Sequence, residues 1–181
     1  MATVKESIGS PSAEPSTSKV NHIGKRGMTQ QFGLRDRLIG SWMLKSYVET
    51  DVKTGARHHP LGQSPLGIIL YTPDGYMSVQ LQARDRDPFL TDDMYRGTAA
   101  EYFAAGRSYL AYSGRFFIDE GKGRLSHEMA VSLFPNWFGQ TQIRLVELRD
   151  NRLHLATDGP QRFNGALKTA DLVWMRAVSN P

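Results

Sequence analysis

From about residue 40 onward, apolar and polar residues alternate with period two, which predicts strands with one buried face. Trp42, Leu44, Ser46 and Val48 share one face of the first strand, and Met43, Lys45, Tyr47 and Glu49 share the other. Residues 66–71 and 76–82 flank Thr72-Pro73-Asp74-Gly75, where Pro presets φ and Gly accepts φ > 0, so the two runs form a hairpin. Residues 109–118 pair with 125–133 across Glu120-Gly121-Lys122-Gly123. Residues 140–149 pair with 152–157 across Asp150-Asn151, and residues 170–177 complete a set of eight strands. One stretch has helical character: Thr91 is a cap, Asp92 and Asp93 suit the first turn, and residues 94–105 follow, with Tyr95, Tyr102 and Phe103 as the apolar face and Gly106 as the stop. Phe32, Leu34, Leu38 and Ile39 fit a short helical turn before the first strand.

Short connections between successive strands predict an all-β fold, either a barrel or a sandwich. A sandwich fills its core with apolar residues from both sheets. Here the candidate inner faces also carry Ser, Gln, His and Arg, which favours a closed barrel with a hollow for one small ligand. The expected architecture is an eight-stranded antiparallel up-and-down barrel over residues 32–178, with one short helix after the third strand. Residues 1–31 are rich in Ser and Pro and poor in large apolar side chains, which predicts a disordered tail.

Composition narrows the function. The chain has 181 residues, is 40% hydrophobic and 22% charged, and contains no Cys, so disulfides, thiolate metal sites and a cysteine nucleophile are excluded. The absence of Cys, of a signal-like apolar stretch and of any apolar run long enough to span a bilayer leads to the expectation of a cytoplasmic protein that does not enter membranes. The net charge is +4, and Lys5, Lys19, Lys25 and Arg26 against Glu6 and Glu14 hold half of that excess in the tail. No clustered basic face remains, so no nucleic-acid partner is expected. His58 and His59 are adjacent and lack ligand spacing, and no phosphate loop, nucleophile elbow or dinucleotide fingerprint occurs, so neither a metal nor a cofactor is expected.

Gly40-Ser41-Trp42 after a short helix resembles the Gly-x-Trp signature of lipocalins, in which an Arg of the last strand packs on the Trp ring. Arg176 stands where that Arg belongs. Together with Pro60-Leu61-Gly62, Gly67-Ile68-Ile69-Leu70-Tyr71, Asp74-Gly75-Tyr76-Met77, Tyr112-Ser113-Gly114 and Ser132-Leu133-Phe134-Pro135-Asn136-Trp137, it resembles the lipocalin-like domain proteins of bacteria and fungi, over residues 35 to 177. The resemblance implies a calycin-type barrel that holds a small molecule. It also implies a place in natural-product pathways, where some barrels of this kind serve as cyclases, isomerases or pericyclic catalysts.

His127 is in phase with Leu125, Met129, Val131 and Leu133. On an interior face it becomes an acid or base, and otherwise it is a structural histidine bonded to the backbone. Arg144 and Gln142 alternate with Ile143 and Leu145, and the sequence leaves open which pair faces inward. Arg144 inside is a fixed donor for a carbonyl, enolate or carboxylate oxygen. His127, Arg144 and Tyr112 are the candidate catalytic residues. Trp42, Tyr71, Gln142, Met129 and Trp137 are the candidate ligand-binding residues. Trp137 and Phe138, in a turn of three aromatics, are candidates to gate the barrel mouth.

Three functions follow. The first is a cofactor-independent cyclase or isomerase acting on an apolar polyketide- or terpenoid-like intermediate, with His127, Arg144 and Tyr112 as the groups that move a proton or stabilise a developing oxyanion. The second is a non-catalytic carrier of a hydrophobic metabolite. The third is a protein–protein adaptor built on the outer face, with Tyr47, Trp174 or the Trp137 loop contributing a patch. A homodimer is left open.

Overall fold

A computed structural model describes residues 33–180. The expected tail over 1–31 lies outside the described residues.

The period-two segments form the expected strands. The long ones are β1 (Gly40–Asp51), β3 (Leu66–Tyr71), β4 (Tyr76–Gln82), β5 (Tyr109–Asp119), β6 (Arg124–Ser132), β7 (Thr141–Arg149), β8 (Arg152–Thr157) and β10 (Ala166–Arg176). Each pairs antiparallel with its neighbour, and β1 pairs with β10 from Trp42↔Arg176 to Asp51↔Lys168, which closes the sheet into an eight-stranded barrel. Closure removes the free edges that an open sheet would expose. Two short strands, β2 (Arg57–His58) and β9 (Gln161–Phe163), add to the rim against β1 and β10. They are too short for any alternation to register in the sequence.

The two ends of the barrel differ. The tight turns at Thr72–Gly75, Asp119–Gly123 and Asp150–Asn151 all lie at one end, with α1 (Leu34–Leu38). There Leu38 and Trp42 are fully buried, Trp42 Nε1 donates to Leu38 O at 2.8 Å, and the Arg176 guanidinium lies 4.0 Å from the Trp42 ring centroid. Arg176 also donates to Ile39 O at 2.9 Å and to Arg37 O. The Arg-on-Trp seal implied by the resemblance is therefore present, and the cation–π contact contributes about 0.5–2 kcal/mol. The longer connections, 52–65, 83–108, 133–140 and 158–165, all lie at the other end, which is the mouth.

Two β-bulges re-aim side chains. In β1 the register with β10 slips between Leu44 and Ser46, so Trp42 and Leu44 point inward before the slip and Tyr47 and Glu49 after it. Strict alternation had placed Tyr47 and Glu49 opposite Trp42. In β6 a slip opposite Ser113/Gly114 keeps Leu125, His127 and Met129 inside and turns Val131 and Leu133 outward, although the alternation put all five on one face.

The helix also moves. Thr91 accepts from Asp93 N at 3.2 Å in a local turn instead of capping a helix. The helix is α2 (Ala99–Arg107), capped by Thr98, whose side chain accepts from Glu101 N while Glu101 accepts from Thr98 N. It runs past Gly106 to Arg107, buries none of its residues, and leaves Phe103 exposed and Tyr95 outside it. It follows β4, because β2 precedes it.

Candidate functional site

The polar side chains of the interior come from β5, β6 and β7. β7 aims Gln142 and Arg144 inward and leaves Ile143 and Leu145 on the surface, an inversion of the usual pattern. Pairing decides this: β6 and β7 align His127 with Gln142 and Leu125 with Arg144, so the β7 residues share the side that β6 buries.

His127 is buried between two tyrosines. Tyr71 Oη lies 3.0 Å from Nε2 and Tyr112 Oη 3.2 Å from Nδ1. Burial, with the nearby Arg144 charge second, pushes the imidazole down to about 3, so it is neutral. Burial likewise raises the hydroxyls of Tyr71 and Tyr112 above the usual tyrosine range, against the opposing pull of Arg144. A neutral imidazole offers one donor and one acceptor, so the three groups form a chain along which protons are donated in a single direction.

Above this chain lies a cavity of about 40 Å³. Ile69, Val79, Leu81, Leu155 and Leu172 form its apolar wall, and Tyr47, Tyr112, Gln142, Arg144 and Trp174 complete the lining. Arg144 donates to Gln142 Oε1 and, at 3.1 Å, to Ile143 O. Among the described residues Arg144 forms no ion pair with a carboxylate. Trp174 Nε1 is buried and meets no acceptor among the described residues. Trp137 roofs the cavity from a 3-10 turn (Pro135–Trp137), edge-on to Tyr112 at 5.7 Å and to Phe134 at 5.6 Å. Toward the mouth, Glu49 accepts from Lys168 Nζ at 3.0 Å and from Tyr47 Oη at 2.8 Å, and both ion-pair partners are buried.

The lipocalin-like domain model matches residues 39–177. The chain belongs to the lipocalin-like domain family. One relative, the 4'-hydroxy-3'-methoxypropiophenone carrier protein ppsC of Aspergillus oryzae, is 33% identical over 106 residues, covering 55% of this chain and 96% of the relative.

In this lipocalin-like barrel, Tyr112, Gln142, Arg144 and Trp137 line the cavity together. His127 stands one hydrogen bond behind Tyr112, and Tyr71 one more behind His127. Met129 is buried but does not line the cavity, and Trp42 belongs to the plug at the closed end. Phe138, expected beside Trp137 as a gate, points to solvent. Tyr47 and Trp174, expected on an outer patch, are interior. For Trp174 the signal was present: it is in phase with Arg176, which the family pattern sends to Trp42. For Tyr47 there was none, because a bulge has no marker in the sequence. His154 pairs with Asp171 at 2.9 Å on the outer wall. Among the described residues no group of three or more His, Asp or Glu comes together, and no described helix is long and apolar enough to cross a membrane.

Proposed function

We propose that this barrel is a carrier for one apolar aromatic molecule bearing oxygen acceptors, of the aryl ketone class. The reading is supported chiefly by the cavity, where aliphatic side chains stand with a buried guanidinium that has no carboxylate partner and with Trp174, whose Nε1 lacks an acceptor among the described residues. Ligand sites commonly combine apolar walls with a few placed polar groups. The relative's name, a carrier of an aryl ketone, points the same way. A cavity of about 40 Å³ holds only a water or two, so uptake requires the Trp137 turn to swing outward. None of the turn's residues is fully buried, and opening it has to release the aromatic edges and the Gly139 N–Met129 O hydrogen bond that hold it.

A second reading, a cofactor-independent cyclase or isomerase, draws on the Tyr71–His127–Tyr112 chain. An efficient general base titrates near the working pH. An imidazole pushed down to about 3 is a weak base, and this ranks the carrier first.

The test is to titrate the protein with propiophenones, following tryptophan fluorescence, and then to recover the ketone. Saturable quenching with unchanged ketone recovered is the expected result. A transformed ketone whose formation stops in His127→Gln would establish the enzyme instead, and no binding of any aryl ketone would remove both readings.

A further inference from the structure

Resting on the aryl ketone reading, the charge balance of the interior specifies the ligand further. Arg144 is a permanently charged guanidinium, more than nine-tenths buried. A buried cation without an anion is costly. Every titratable group facing it from the surrounding strands fails to supply one. Tyr47 on β1, Tyr71 on β3 and Tyr112 on β5 are hydroxyls whose ionisation burial opposes, and His127 on β6 is neutral. The Glu49 carboxylate is shared between Lys168 and Tyr47. The polar contacts Arg144 makes are with the neutral oxygens of Gln142, Ile143 and Tyr112.

Trp174, which lines the same cavity, carries the one buried side-chain donor without an acceptor among the described residues, Nε1. An unsatisfied buried N–H costs about 1–3 kcal/mol. The Trp174 backbone stands at another position along the barrel wall than that of Arg144. Arg144 pairs with Thr157 and Trp174 with Leu153, four residues apart on β8, or about 13 Å along the strand. Two donors carried at different positions on the wall suit an elongated molecule with an acceptor at each end.

We propose that the barrel takes up 4-acylphenols as their phenolates, with the ionised phenol oxygen on Arg144 and the carbonyl oxygen on Trp174 Nε1. The phenol O–H proton leaves to solvent on binding. The para arrangement delocalises negative charge from the phenolate oxygen to the carbonyl oxygen, so both donors make charge-assisted bonds.

The experiment compares 4'-hydroxyacetophenone with 4'-methoxyacetophenone, which cannot ionise, on the full chain at a pH one unit below the free phenol's midpoint. The hydroxy ketone is expected to bind at least tenfold more tightly, with growth of the long-wavelength phenolate absorption and release of a proton to the buffer. Arg144→Met is expected to abolish that band and level the two affinities, while Arg144→Lys keeps the band. Trp174→Phe is expected to remove the preference for 4'-methoxyacetophenone over 4-ethylanisole, which lacks the carbonyl. Equal binding of the hydroxy and methoxy ketones by the unmodified protein, without the phenolate band, overturns the proposal and leaves the aryl ketone reading standing. So does a band that persists in Arg144→Met. Failure of every ketone to bind overturns both. The ligand comparison on unmodified protein decides the matter even if a variant fails to fold.

Discussion

The hydroxyl of Tyr112 stands 3.2 Å from His127 Nδ1, and by this contact a histidine withdrawn from water is linked to the cavity that Tyr112 lines. The link constrains stability as well as chemistry. The folded imidazole takes up a proton only near pH 3, and the unfolded one near 6.5. Between those values the unfolded state binds more protons, so stability is full above pH 6.5 and falls as the pH drops toward 3. Compared with His127→Gln, whose amide can serve both tyrosines, the unmodified protein should lose about 2–3 kcal/mol more between pH 7 and pH 4.5. Urea unfolding at the two pH values measures this, and parallel losses would show that the histidine is not held neutral.

Glu49 and Lys168 form a buried pair whose second carboxylate oxygen is taken by Tyr47. Lys168→Met strands a buried carboxylate and should cost about 3–5 kcal/mol. Adding Glu49→Gln removes the charge and keeps an acceptor for Tyr47, so the double variant should recover most of that loss. A double-mutant cycle by chemical denaturation gives the coupling. A loss under about 1 kcal/mol in the single variant would mean that water reaches the pair.

Gly114 lies opposite the bulge in β6. A Cβ there would stand 1.8 Å from Glu128 O and 2.9 Å from Ala130 N, both backbone atoms that cannot step aside. Gly114→Ala should therefore destabilise the barrel by more than about 3 kcal/mol. Gly106, in the last turn of α2, has nothing within 4 Å of its virtual Cβ. Gly106→Ala should be neutral or stabilising by up to about 1 kcal/mol. Thermal melts of the two variants make the comparison, and a tolerated Gly114→Ala would contradict the bulge.

Much was legible before any coordinates. The alternation at Met77, Val79 and Leu81, the turn at Pro73-Asp74-Gly75 and the Trp42–Arg176 pairing are local or family patterns, and each holds in the structure. They determined the strand set, the barrel and the sealed end, because period two and turn chemistry act within a few residues. What the tertiary structure alone decided is which residues share the interior. The β1 bulge brings Tyr47 and Glu49 inside, the β6–β7 register turns Arg144 rather than Leu145 inward, and strand closure carries Trp174 to the same cavity. These outcomes depend on the fit between strands distant in sequence, where a one-residue slip reverses every side chain, and no local pattern encodes that slip.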